Sequence, residues 1–179
     1  MNKLLEEILI LSEILILTRV ESGQLEFDPA SIDVIIFCHQ LIKNIQVNTR
    51  RKHKFTFVAQ GKLEDLYLDK KLLHIILNNL LSHAIKYSSN DSNISLEVFR
   101  ESEKITFCIS NQGIGIPGSS IKQLFKQFER TSNVGVIDGT GLSLSIVKQA
   151  VDLHGGYISI DRTEGVGTTI KVTLPCTTI

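Results

Sequence analysis

The chain has 179 residues, 42% of them hydrophobic, with 19 basic and 19 acidic side chains and a net charge of zero. That length and composition suit one packed domain with a short appendage and exclude wholesale disorder. A neutral chain gives no electrostatic case for nucleic acid or an anionic membrane, and three scattered cysteines (Cys38, Cys108, Cys176) without a CxxC pair indicate neither a zinc site nor a disulfide framework.

Residues 3–20, KLLEEILILSEILILTRV, hold no Gly or Pro and predict a long helix. Leu4, Leu5, Ile8, Leu11, Leu15 and Val20 make one stripe, and Leu9, Ile10, Ile14, Ile16 and Leu17 widen it until little polar face is left. Such a helix must be covered, either by partner helices of a dimer bundle or by the core of its own domain. Its most apolar run, 8–17, carries Ser12 and Glu13 and falls short of the roughly 20 residues of a membrane span. It also lacks the basic start and small-residue cleavage site of a signal peptide. A reducing, cytosolic setting is expected.

Gly23 and Pro29 then break the pattern, which places a domain boundary in ESGQLEFDPA. Ser31 is the expected N-cap of a helix whose apolar face is Ile35, Cys38, Leu41, Ile42 and Ile45. HKFTFVAQ alternates as a strand, and DLYLD is a second short one. Asp69 caps the next helix, which holds NNLLSHAIKYSS. NISLEVFRES and EKITFCIS are strands joined by a tight polar turn. SSIKQLFKQF is a short helix after Pro117, SNVGVIDGTG is a loop, and LSLSIVKQAVDLH is a helix stopped by Gly155 and Gly156. GYISIDRTEGVGTTIKVTLP closes the chain as a hairpin. Paired strands mixed with helices predict an α+β fold, a two-layer sandwich with a mixed, mostly antiparallel sheet packed on helices and a long N-terminal helix.

Two glycine-rich segments precede helices, NQGIGIPGSS at 111–120 and DGTGLSLSIVK at 138–148. Glycine lets backbone approach a ligand closely, and a helix start offers free N–H groups, so the pair suits a polyphosphate. Neither is a Walker loop or a Rossmann fingerprint. Taken in order with their neighbours, these segments resemble the ATP-binding catalytic domain of sensor histidine kinases. That superfamily is shared with type II topoisomerases, mismatch-repair ATPases and a heat-shock chaperone. NLLSHAIKYS looks like the N box, NQGIGI the first glycine box, LFKQF the phenylalanine box, GTGLSLSIVK the second glycine box and GVGTT the third; DLHGG matches the ending of the helix. The resemblance covers about residues 25–175. It implies a partial dimerisation and phosphotransfer helix over 1–24 and an ATP-binding catalytic domain over 25–179.

By that resemblance Asn79 lines the nucleotide pocket, where related ATPases carry a glutamate base. An amide cannot take a proton at neutral pH, so transfer to another group is favoured over hydrolysis. Lys86 would reach the phosphates, and Tyr87 would pack beside the adenine. Asn111 stands where the family has an aspartate that accepts from the adenine amino group. An amide also has a donor end, which leads to an expectation of looser adenine preference. Gly113, Gly115 and Ile116 would shape the pocket wall. Gly139, Thr140, Gly141 and Leu142 would set backbone N–H groups on the phosphates, with Ser143 in place of a usual glycine. Gly165, Gly167 and Thr168 would sit beside the base. Phe125 and Phe128 would anchor a lid holding Arg130. The other histidines, His39, His53, His74 and His154, are read as surface, packing or turn residues, and none sits in the family's phosphoacceptor context.

His83 is the departure. It occupies the position of the asparagine that binds Mg2+ in the family, and imidazole nitrogen is a poor magnesium ligand. Three readings follow. Asn79 or waters hold Mg2+ while His83 bonds phosphate; or nucleotide binds weakly or without metal; or a protonated His83 replaces the metal's charge. The metal ligand is thus left between Asn79 and His83. The resemblance implies ATP or ADP as ligand and Mg2+ as companion ion, with transfer of the γ-phosphate to a histidine outside this chain. A response-regulator receiver domain would take the phosphate next, and a homodimer would form through the N-terminal helix. The alternative is a degenerate signalling or interaction module.

Overall fold

The structure is a computed structural model that describes residues 11, 14–16, 18, 19, 22–24, 26–48, 53–89, 91–113, 142–163 and 167–178. Its elements are β1 (Ala30–Ile32), α1 (Val34–Asn48), β2 (Lys54–Gln60), β3 (Leu66–Leu68), α2 (Lys70–Lys86), β4 (Asn93–Glu101), β5 (Lys104–Asn111), α3 (Ser143–Leu153), β6 (Tyr157–Thr163), β7 (Gly167–Pro175) and β8 (Thr177–Thr178). The expected short helix over 119–128, its following loop, and the turn at 164–166 lie outside the described residues.

The main sheet runs β2-β4-β5-β7-β6. A tight turn joins β4 to β5, with Glu101 opposite Lys104, and β6 pairs antiparallel with β7, Thr163 opposite Gly167. β2 pairs with β4 in parallel, Lys54 opposite Asn93, which no hairpin can achieve. The crossover between them contains β3 and α2. One face of the sheet is the core face. Ile94, Leu96 and Val98 of β4, Ile105, Phe107 and Ile109 of β5, and Ile170, Val172 and Leu174 of β7 alternate onto it. α1, α2 and α3 cover that face with their own apolar sides, including Leu41 and Ile45, Leu77 and Leu81, and Val147 and Val151. Each fully buried aliphatic side chain here contributes about 1.5–3 kcal/mol by leaving water. The opposite face carries hydroxyls that satisfy each other across strands, Thr106 with Thr173 at 2.9 Å and Ser110 with Thr169 at 2.7 Å. This is the expected two-layer α+β sandwich.

Three details differ from expectation. Ser31 lies in β1 and does not cap α1; Asp33 does, its Oδ1 accepting from Ile36 N–H at 2.9 Å. A carboxylate nearer the first turn reaches an open N–H that the serine cannot. β1 and β8 flank β3 in a second, three-stranded sheet, Ala30 opposite Leu68 and Leu66 opposite Thr178. Three and two residues are too few to show a period of two.

A helix ends just before residue 24. Gly23 takes a left-handed φ of 67°, and Gln24 N–H bonds back to Arg19 C=O at 2.9 Å. That is a glycine-terminated helix end. Before it, Leu11, Ile14 and Leu15 are exposed, while Ile16 packs on Leu142 and Ile146, as Ile75 also does. Among the described residues no helix is long and apolar enough to cross a membrane.

Candidate functional site

Helix α2 is held firmly at its start. Asp69, 1% exposed, accepts from Lys71 and Leu72 N–H through Oδ1 and from Asp28 N–H through Oδ2. Its own N–H donates to Nε2 of buried His154 at 3.1 Å, and His154 lies edge-on to Phe27 at 5.0 Å between ring centroids. His154 is therefore neutral, with Nε2 unprotonated; burial lowers its pKa, partly offset by the Asp69 charge. The expectation of a packing or turn residue holds for it. No signal in the sequence pairs residues 69 and 154.

Seated this way, α2 turns Leu72, Leu73, Ile76, Leu77, Leu80, Leu81 and Ala84 inward. Ile75, Asn79 and His83 follow one another at steps of four along its half-buried margin. The Asn79 Nδ2 donates to Ile75 C=O at 2.8 Å, which leaves Oδ1 as the amide atom for other partners. The His83 ring lies 4.8 Å from that of Tyr87, and Lys86 Nζ stands 5.8 Å from the Tyr87 ring centroid.

One described residue of each glycine segment touches this helix. Gly113, near the start of the first, pairs with Ser88. A Cβ there would sit 1.9 Å from Tyr87 C=O, so only glycine allows the approach. Leu142, within the second, packs with Ile146 on Ile75, one turn before Asn79. α3 begins at Ser143, with no side-chain cap on its first N–H groups. A helix start without a side-chain cap is the kind of position at which backbone N–H groups can meet an anion.

The corner beyond His83 is built by β5 and β7. Asn111 lies opposite Thr168, and a Cβ on neighbouring Gly167 would come within 2.3 Å of Asn111 C=O. Ser88 Oγ donates to Ala84 C=O and accepts from Asn111 Nδ2 at 3.0 Å. The donor end of the Asn111 amide is therefore engaged, and Oδ1 is the free end. One of the two amide N–H donors is thus held by Ser88, which turns the acceptor Oδ1 away from that contact. Ser88 is the residue that sequence reasoning missed; its place in the N box was visible, but its hold on Asn111 was not.

Of the expected site residues, Asn79, His83 and Lys86 lie on α2 with Tyr87 at its end, Asn111 and Gly113 meet that end through Ser88, Thr168 lies opposite Asn111, and Leu142 packs near Ile75. Gly115, Ile116, Arg130, Gly139, Thr140 and Gly141 lie outside the described residues, as do Phe125, Phe128 and Gly165.

His83 does not carry a charge at neutral pH. Burial, with the Lys86 ammonium adding to it, pushes its pKa from 6.5 down to about 4. That shift weighs against the reading in which a protonated His83 substitutes for a metal's charge in the free chain. Magnesium itself fits this margin poorly. It takes hard oxygen ligands, and of the two residues proposed to hold it only Asn79 presents one. Among the described residues no group of three His, Cys, Asp or Glu side chains is placed to hold an ion.

Comparison with known proteins agrees with this geometry. Residues 68–178 match the model of the family described as histidine kinase-, DNA gyrase B-, and HSP90-like ATPase. The chain is 33% identical over 171 residues to the circadian input-output histidine kinase CikA of Synechococcus elongatus, covering 93% of this chain and 23% of that protein. It is 32% identical over 172 residues to the sensor histidine kinase WalK of Bacillus subtilis, covering 93% and 28%. It therefore spans about a quarter of the length of these curated relatives. The fold superposes on full-length ShkA, solved in complex with AMPPNP, with a TM-score of 0.82 at 20% identity, covering 93% of this chain and 35% of that one. From Leu68 onward, through the capped helix, the two glycine junctions and the closing hairpin, this chain belongs to the histidine kinase-, DNA gyrase B- and HSP90-like ATPase family.

Proposed function

We propose that this chain is the ATP-binding catalytic part of a two-component sensor histidine kinase. The observations that support the reading are the pairing of Gly113 with Ser88 and the packing of Leu142 on Ile75, which bring one residue of each glycine segment to the helix that carries Asn79 and His83, with Asn111 bonded to Ser88 beside its end. The adenine amino group would donate to Asn111 Oδ1, beside Gly113 and Thr168. The phosphates would lie along Asn79 and His83 toward the open N–H groups of α3, with Lys86 close by. Asn79 cannot serve as a base for water, so the chemistry suited to this groove is delivery of the γ-phosphate to an external acceptor. Positioning and charge stabilisation would supply most of the rate, as in other phosphoryl transfers. Magnesium, expected of the family, fits these donors poorly.

The acceptor in this reading is a histidine on the dimerisation region of the same or a partner subunit, and a receiver domain then takes the phosphate. Residues 1–24 would be part of that dimerisation region and 25–179 the catalytic domain. The exposed Leu11, Ile14 and Leu15 support a partner helix over the core-helix alternative, since no core of this chain covers them. The reading places the domain in the cytoplasm. No observation favours the non-catalytic module. Melting-temperature shifts test nucleotide binding. ADP at a hundredfold excess over its Kd stabilises a binding protein by about 2.7 kcal/mol, and GDP should give far less. No shift with ADP, with or without any divalent ion, would remove the proposal.

A further inference from the structure

Two side chains of α2 do not match the ion that normally accompanies a nucleotide. Asn79 offers one oxygen, because its nitrogen is tied to Ile75 C=O. His83, one turn on, offers only nitrogen. Four residues apart, they stand on one helix margin, the spacing by which a helix holds a transition metal between two side chains. No third protein ligand stands with them among the described residues. The protein alone is therefore not a metal site; phosphate and water oxygens must complete it. One amide oxygen, one imidazole nitrogen and several phosphate oxygens form a mixed donor set. Such a set suits manganese, cobalt or nickel better than magnesium, which dehydrates reluctantly and takes oxygen.

We infer, on the nucleotide reading above, that Asn79 and His83 are the protein half of a nucleotide-assembled site selective for a first-row transition-metal dication over magnesium. His83 is its specificity-determining residue. The site exists only with nucleotide present, because the phosphates supply most of its ligands. Selectivity arises from the nitrogen donor, not from the shape of the groove.

Calorimetric titration of the chain with ADP in EDTA, Mg2+, Mn2+ or Co2+, at matched free-metal concentration, tests this. Mn2+ and Co2+ should raise ADP affinity at least about tenfold over EDTA, the scale on which even outer partners of a metal act, while Mg2+ should do little. The visible spectrum of Co2+ should change on adding ADP to the wild-type chain and not to His83→Ala. His83→Asn should transfer the gain to Mg2+. Equal enhancement by Mg2+ and Mn2+ in the wild type overturns the inference, as does a Co2+ effect that survives His83→Ala. ADP binding with no cation preference overturns it and leaves the nucleotide reading intact. ADP binding under no condition, His83→Asn with Mg2+ included, overturns both.

Discussion

Helix α2 has a histidine near each end, and the two are held in opposite ways. His154 closes the start of α2: it is buried, accepts from Asp69 N–H and packs on Phe27. His83 sits on the far half of α2 itself, half-buried, with Tyr87 as its stacking neighbour. Both are neutral because burial lowers their pKa. At the first end the carboxylate and the imidazole acceptor serve the fold itself. At the second, the Asn79 and Asn111 amides have their nitrogens tied to protein and their oxygens left over. The contrast separates polar groups that maintain the structure from polar groups that face the nucleotide in the proposed reading, although both kinds look alike along the chain.

The largest effect expected from breaking this contrast is at Asp69. Asp69→Ala strips three backbone N–H groups of their acceptor and should cost about 3 kcal/mol or more. For a chain of this size that is a fall in Tm of about 6–12 °C, read by calorimetry. His154→Ala should come next, at about 1–3 kcal/mol, through an orphaned Asp69 N–H and lost packing on Phe27. His83→Ala should change stability by less than about 1 kcal/mol, because its ring is only partly covered. Equal losses from the two histidine variants would erase the distinction.

A pH slope is expected as well. A histidine with a folded pKa of about 4 and an unfolded value near 6.5 takes up its proton first in the unfolded chain. Its contribution to stability is therefore complete above about pH 6.5 and declines as pH falls toward about 4. His154 adds to the slope with the same sign. Denaturant titrations across that window should show a shallower slope in His83→Asn than in the wild type. An unchanged slope would place the titration elsewhere.

The sequence revealed what depends on near neighbours. The Asp69 cap, the stop at Gly23, the two hairpins and the common face of Asn79, His83 and Lys86 all follow from spacing and turn chemistry. It did not reveal what depends on distant residues. β1 and β8 are strands only because β3 lies between them. Asp33 displaced Ser31 as a cap because the chain extends through Ile32 to pair with β3. The free ends of the Asn79 and Asn111 amides were set by Ile75 C=O and by the Ser88 hydroxyl, and the charge of His83 by burial that no spacing reports.

The parallel pairing of β2 has a consequence for how the molecule holds together. β4–β5 and β6–β7 close across short turns, so they can form and re-form locally. β2 joins the sheet only when the whole crossover, α2 included, is folded back, and that loop closure carries an entropic cost the hairpins escape. The outermost strand and the margin bearing Asn79 and His83 therefore open and close as linked units. A ligand that holds α2 in place stabilises an edge strand lying on the far side of β4 from Asn111.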